Sequence, residues 1–351
     1  MRSGARNSIT DVRGVLVGHE QRLDEQWATG TSVVLTAGGA SAAVDVRGGG
    51  PGTRETDVLE PTHAVQQAHA IVLTGGSAYG LAAADGAMRW LGEREHGFPV
   101  GTEPHEVVPV VPAAVLFDLP MGDWGNRPDA AFGHRACHAA SATEAREGNV
   151  GAGTGAVAGS LKGGTGSASA VFTSDVLGSE VTVGALMAVN SSGSVIDPET
   201  GLPWNPHPGL RAPSADEIAA GKRLGPRPSR HGTAQRPVNT TIGVVATDLA
   251  LTKPQCHRIA VAGHDGLARA IRPAHGMSDG DTVFALSTGS SAASRERDSD
   301  QRLAGAEARL LDEVCAAAAD VVQHAIVRAV LAAEPVGEVT SYTRTYPSAR
   351  E

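Results

Sequence analysis

Runs of β-branched and apolar residues, bounded by turn residues, recur along the chain and predict strands. GVLVGHE (14–20), TSVVLTA (31–37) and SAAVDVR (41–47) come first, and a glycine-rich loop, GGGPGTRETD, follows the third. A buried strand is predicted over Ala70–Thr74, then a Gly-Gly-Ser turn. After it a helix runs from about Ala78 to Leu91, with Leu81, Ala84, Met88 and Leu91 at helical spacing. VVPVVPAAVLFDL predicts a strand that its prolines place near an edge or bend. Residues 130–147 predict an alanine-rich helix, and EVTVGALMAVNSSGSVID two strands' worth of alternation ending at Asp197. Eight prolines then punctuate a polar stretch at 198–238 that has no periodicity, the pattern of an exposed, partly mobile loop. Strand character returns abruptly at Thr240–Thr247. A helix is predicted from near Thr252 to about Ile271, a strand over 281–288, and a long amphipathic helix over about 300–333. Strands and helices alternate, so the class is α/β or α+β, with sheets and helices in layers.

The 351 residues suffice for one large domain or two. With 44 glycines, 41% hydrophobic residues and only 3% aromatics, the core is expected to be close-packed Ala, Val, Leu and Ile. A net charge of -9 argues against a nucleic-acid partner. Cys137, Cys256 and Cys315 form neither a close pair nor a metal-type spacing, as expected of reduced structural thiols. MRSGARNSITDV has no apolar stretch behind its arginines, so no signal peptide is expected. The apolar runs fall short of a membrane span, and a soluble, cytoplasmic protein is expected.

Three motifs offer cofactor, metal or nucleophile chemistry and lack the context for it. GAGTGA (151–156) fits the dinucleotide pattern G-x-G-x-x-A, but a predicted helix, not a strand, precedes it. His134 and His138 are four apart on a predicted helix without the acidic partner of a zinc motif. Ser77 in GGSAYG is out of register with a nucleophile elbow. No cofactor and no metal are expected.

RPVNTTIGVVATD contains Asn239-Thr240, a hydroxyl residue between a proline-rich segment and a stiff strand. Threonine commonly just begins a strand. The setting also meets the needs of self-cleavage: a loop that can leave, and a rigidly held hydroxyl. Cutting before Thr240 would give it a free α-amine to serve as base beside its own nucleophile.

ITDVRGVLVGH, DVRGGGPGTRETD, IVLTGGSAYGLAAADG, GNVGAGTGA, LKGGTGSAS, VNSSGSVID, NTTIGVVATDLALTK and MSDGDTVFALSTG, spanning roughly residues 9 to 290, together resemble the self-processing N-terminal-nucleophile aminopeptidases. That family includes the L-aminopeptidase/D-esterases, the β-peptidyl aminopeptidases and the nylon-oligomer hydrolases. The resemblance implies a four-layer αββα sandwich and autocleavage into associated chains 1–239 and 240–351. It implies Thr240 as nucleophile, Lys162 beside it, Asn190 in the oxyanion hole, and Asp279 and Asp281 near the nucleophile's amine. A pocket tyrosine of the family has no motif here, although Tyr79 lies in a matching segment. Small peptide, amide or ester substrates and a homo-oligomer are also implied.

Read without the resemblance, these residues keep plainer alternatives. Lys162, the only charge between Glu147 and Asp175, is either a solvated loop residue or a buried one held for a purpose. Asp279 and Asp281 share a face if extended, or simply form a turn. Asn190 fits a turn before Ser191-Ser192-Gly193 equally well. A non-processed binding protein of the same fold and a nucleotide-dependent oxidoreductase using residues 151–156 are the competing functions.

Overall fold

A computed structural model describes residues 1–225, 239–289 and 304–350. Among them, nine strands make one mixed sheet: β1 (Leu16–Leu23), β2 (Ala28–Val46), β3 (Thr53–Arg54), β4 (Gln67–Thr74), β5 (Ala113–Val115), β6 (Gly164–Thr173), β7 (Glu180–Asn190), β8 (Thr240–Thr247) and β9 (Thr282–Ser287). The order is β6-β7-β8-β9-β2-β4-β5-β3, with β1 also paired to β2. The pairs β8/β9 and β4/β5 are parallel and the rest antiparallel. The principal helices are α1 (Ala83–Gly92), α2 (Ala130–His138), α3 (Ala215–Lys222), α4 (Lys253–Ala270) and α5 (Ala304–Leu331).

The four layers arise because this sheet folds across itself along β2. The strands predicted at 31–37 and 41–47 are one 19-residue strand whose register slips between Leu35 and Ala40. Its first part pairs with β1 and β4, its last part with β9. Side-chain alternation then sorts residues into three cores. Leu186, Ala188, Ile242, Val244, Phe284 and Leu286 meet Val34, Ile71 and Leu73 between the two halves of the sheet. Ala185, Met187, Val245, Val283 and Ala285 point the other way, onto α4 and α5. Val33, Leu35, Ala70 and Val72 cover α1 and α2. The expected αββα sandwich is thus present.

Several boundaries differ from expectation. The helix expected over 130–147 ends at His138, because Ser141 leaves it to exchange two backbone hydrogen bonds (2.9 and 3.0 Å) with Val17 of β1. Within the expected 198–238 loop lies α3, which begins with a reciprocal cap: Glu217 N–H donates to Ser214 Oγ, and Ser214 N–H to Glu217 Oε2. The rest of that loop, 226–238, lies outside the described residues. The apolar runs were expected to be too short for a bilayer, yet Gly305–Leu331 is long and apolar enough by length and composition, with an 18-residue window of mean hydropathy 1.6. Two thirds of that window is buried against the sheet and α4, so it serves as a core helix. Burial pushes the Cys137 and Cys256 thiols up to about 12, which leaves both as inert core side chains.

His19 on β1 is buried, its Nδ1 hydrogen-bonded to Ser32 Oγ (2.8 Å), and that oxygen accepts from Ala152 N–H (3.0 Å). Burial lowers its pKa to about 4, against a nearby carboxylate, Glu144, that pulls it up. The unfolded chain takes up this proton near pH 6.5 and the folded one only near 4. The stability is therefore complete above pH 6.5 and is lost as pH falls towards 4, by about 3 kcal/mol. Thermal melts of His19→Gln should be flatter over that interval than wild type; an unchanged pH slope would refute this account.

Candidate active site

The sheet register gathers the predicted residues at one end of one half-sheet. β7 ends at Asn190 where antiparallel β8 begins, so Asn190 and Thr240 are directly opposed. β6 begins beside the same end, with Gly164 opposite Val189, and Lys162 lies two residues before it. β9 runs parallel to β8, which puts the Asp279–Asp281 turn there as well. β2 delivers the loop after Val46 to this turn, because Val46 opposes Thr282. Thr240 opens a strand in which every residue is buried, so its position is fixed on both faces.

In the intact chain the Thr240 hydroxyl lies against the peptide bond it would cut. Its Oγ1 donates to the Asn239 carbonyl oxygen at 2.5 Å, and the same oxygen accepts from Gly280 N–H at 3.0 Å. Asn239 N–H donates to Ser278 O (3.0 Å), which pins the residue before the bond. Asn239 Oδ1 and Thr241 Oγ1 are buried without a hydrogen-bond partner among the described residues. Such groups cost about 1–3 kcal/mol each.

The two aspartates do different jobs. Asp281 Oδ1 accepts from Thr241 N–H (2.8 Å), and its Oδ2 accepts from the His275 backbone N–H (3.1 Å) and lies 2.9 Å from His275 Nδ1. Asp279 Oδ1 accepts from Ser192 N–H (3.2 Å) and Ser192 Oγ (2.6 Å), and its Oδ2 from Gly276 N–H (2.9 Å). Both carboxylates are buried and satisfied, one anchored to the strand that carries Thr240 and the other to the segment that carries Asn190.

Lys162 is fully buried, and Nζ donates to the carbonyls of Gly153 (2.9 Å) and Gly163 (2.8 Å). Of the two sequence readings, the solvated loop is excluded. Asn190 is buried too. Its Oδ1 accepts from Val157 N–H (2.9 Å), and one Nδ2 hydrogen goes to Phe117 O (3.2 Å), leaving the second directed elsewhere. The Asn190 amide is thus set by two backbone contacts and is not the surface turn of the alternative reading.

The structure brings together Asn239, Thr240, Asn190, Asp279 and Asp281, with Lys162 at the same sheet end. It adds residues that sequence reasoning passed over: Gly280, Ser192, His275 and the Gly48–Gly50 loop. The last was read as a glycine-rich loop and one of the segments of the resemblance, with no role at the site, yet Gly50 N–H donates to Asp279 O (2.8 Å), Gly49 N–H to Gly276 O (3.2 Å) and Arg47 N–H to Asp281 O (3.0 Å). A Cβ at Gly48 would stand 2.3 Å from Asp279 O, so glycine is what permits this approach. The signal available was the pairing of two glycine-rich segments, GGGPG and GMSDGD.

Tyr79 is not at this centre by any observed contact: it is exposed, with the Arg127 guanidinium 3.8 Å from its ring centroid. Tyr342 and Tyr346 pack on each other, and Tyr342 Oη donates to Gly201 O (3.0 Å). The aromatic residue joined to Asn190 is Phe117.

GAGTGA forms a single 3-10 turn followed by a two-residue strand, so no helix N-terminus receives a pyrophosphate. Its Gly153 carbonyl instead holds Lys162. His134 Nε2 bonds Glu93 Oε2 (3.0 Å) at the surface, and no group of three or more His, Cys, Asp or Glu suited to a metal occurs among the described residues.

Known proteins resemble the chain over nearly its whole length. The model of peptidase family S58 matches residues 7–344. A protein of Mycobacterium tuberculosis named as an uncharacterized aminopeptidase is 51% identical over 353 residues, covering 98% of this chain and 99% of its own. A 6-aminohexanoate-oligomer endohydrolase of Kocuria sp. is 30% identical over 300 residues, covering 82% and 77%. The solved L-aminopeptidase D-Ala-esterase/amidase of Ochrobactrum anthropi, a variant of the Ntn hydrolase fold, superposes with a TM-score of 0.71 at 25% identity, covering 96% of this chain and 89% of its own. With the family model, the relatives and the fold in agreement, the chain belongs to peptidase family S58 and is a hydrolase of the N-terminal-nucleophile type.

Proposed function

We propose that this chain is made as an inactive precursor, cuts itself between Asn239 and Thr240, and then acts as an aminopeptidase or amidase on small peptides, amides or esters. The observation that carries this reading is the buried Thr240 hydroxyl, 2.5 Å from the oxygen of the carbonyl it would attack. Attack by Oγ on the Asn239 carbonyl carbon gives an ester, and water hydrolyses it. The freed Thr240 amine then serves as base for its own hydroxyl during turnover. Asn190, through its second Nδ2 hydrogen, and Lys162, as a buried cation favouring the neutral amine, support that step. The relatives' names, aminopeptidase, amidase and 6-aminohexanoate-oligomer endohydrolase, point to an amide bond flanked by a small acyl group. The two fragments stay together in this reading, since β8 is bonded on both sides within the sheet.

Purified protein on a denaturing gel should show fragments of 239 and 112 residues (351 minus 239), the smaller beginning at Thr240. A single full-length band in an active preparation would sink the mechanism. The same band in an inactive preparation would favour the non-processed binding protein. Aminoacyl p-nitroanilides with α-, β-alanyl and 6-aminohexanoyl groups would then sort the substrate.

A further inference from the structure

The contacts at the scissile carbonyl distinguish two oxyanion sites for one nucleophile. We propose that the Gly280 backbone N–H is the oxyanion donor of self-cleavage, held in place by the Gly48–Gly50 loop, and that Asn190 serves turnover instead. This rests on the self-cleavage reading above and assigns a group to its first step.

The Asn239 carbonyl oxygen accepts from the Gly280 N–H and the Thr240 hydroxyl, whereas the contacts of Asn190 are to Val157 and Phe117. When Thr240 Oγ bonds to the Asn239 carbonyl carbon, its hydroxyl hydrogen bond to that oxygen ends. The oxygen gains the negative charge, and the Gly280 N–H is already aimed at it. The carbon–nitrogen bond then breaks, the hydroxyl proton ends on the departing Thr240 amine, and Asn239 is left as an ester on Oγ. Water next adds to that ester, and Oγ departs with a proton, leaving the Asn239 carboxyl.

Glycine is demanded at position 280 by the reacting hydroxyl itself, since a Cβ there would stand 2.7 Å from Thr240 Oγ1. The peptide that presents the N–H is clamped from behind. Gly50 N–H holds Asp279 O, Arg47 N–H holds Asp281 O, and the Asp279 carboxylate is tied to Ser192 and Gly276. A fixed donor costs no reorganisation when charge develops, which is the condition for strong oxyanion stabilisation. Once Asn239 leaves as a carboxylate, this donor faces a product rather than a substrate.

The test follows conversion of the full-length chain with time in folded wild type, Gly280→Pro, Gly280→Ala and Gly48→Ala, with the fold checked by circular dichroism. Gly280→Pro removes the donor and adds a Cβ beside Thr240 Oγ1, so Gly280→Ala, which adds the same Cβ but keeps the N–H, is its control. Gly48→Ala keeps the donor but forces the turn away, its Cβ falling 2.3 Å from Asp279 O. Gly280→Pro should cleave about 100-fold or more slowly than Gly280→Ala, and equal rates in the two would overturn the assignment; Gly48→Ala should be slower than wild type. Hydroxylamine, which cuts esters and spares amides, should release no 240–351 fragment from Gly280→Pro, because the ester does not form. Wild-type rates of cleavage or of hydroxylamine release in Gly280→Pro would overturn the assignment while leaving self-cleavage intact. A wild type that never cuts would remove the underlying reading, and the assignment with it. If Gly280→Pro does not fold, a wild-type rate in Gly48→Ala overturns the proposal by itself.

Discussion

Thr240→Ala should remain one chain of 351 residues and lose hydrolysis by about 10⁴-fold or more, because one hydroxyl is asked to perform both reactions. The fold should survive. Thr240 stands at the first position of β8, and its hydroxyl makes its observed hydrogen bond to the Asn239 carbonyl, which keeps the Gly280 donor when the hydroxyl is gone. The expected stability change is about 1 kcal/mol. A denaturing gel, a thermal melt and a p-nitroanilide assay check the three statements together. Cleavage or near-wild-type turnover in this variant would remove Thr240 as nucleophile. Loss of both functions with a large fall in melting temperature would show a misfolded chain instead.

Lys162→Met is the second large effect, and it should appear in two places. Methionine retains much of the aliphatic stem but leaves the carbonyls of Gly153 and Gly163 without this donor. Buried acceptors stripped of a partner cost about 1–3 kcal/mol each, so the chain should be measurably less stable. The electrostatic effect is separate. In the proposed processed enzyme, a buried cation at this end of the sheet would favour the neutral amine of Thr240 and hold its pKa below the ordinary value of about 8. Without that cation the amine stays protonated to higher pH, so the acidic limb of the kcat/KM profile should move upward and the rate at neutral pH fall about 10-fold or more. Lys253 supplies the control. It too is buried, giving its Nζ to the carbonyls of Val58 and Val65, but it begins α4 beyond the far end of β8. Lys253→Met should destabilise the chain and leave the profile in place. Equal shifts in both variants would show that Lys162 acts only through packing.

Most elements were legible because their periodicity survives burial. TTIGVVAT gave β8 with its start and end as they stand, since a β-branched run after a proline-rich segment has few other conformations. The fold of the sheet along β2 was not legible: 31–37 and 41–47 look like two strands because the glycines between them carry no side-chain pattern. The helix at 215–222 was missed although Ser214 and Glu217 spell its capping box, since its residues bury nothing and so show no apolar stripe. At the site, side-chain chemistry could be named from motifs, and family resemblance supplied the roles. Backbone chemistry could not. Gly280 acts through an N–H that every residue but proline possesses, and only the meeting of two glycine-rich segments reveals why this one matters.

The strand order also bears on when the proposed cut could happen. Both β8 and β9, from the smaller fragment, are threaded between β7 and β2 of the larger one. The Gly280 amide meets the Asn239 carbonyl through β8–β9 pairing, but the Gly48–Gly50 loop that clamps the Gly280 peptide comes from the larger segment, so the clamped arrangement exists only once the two segments share one sheet. Under the proposed mechanism, completion of the fold would license the chemistry, and a nascent or misassembled chain would carry a threonine not yet able to act. The proposed self-cleavage would then be a proofreading mark: a chain beginning at Thr240 would be one that first folded correctly as a whole.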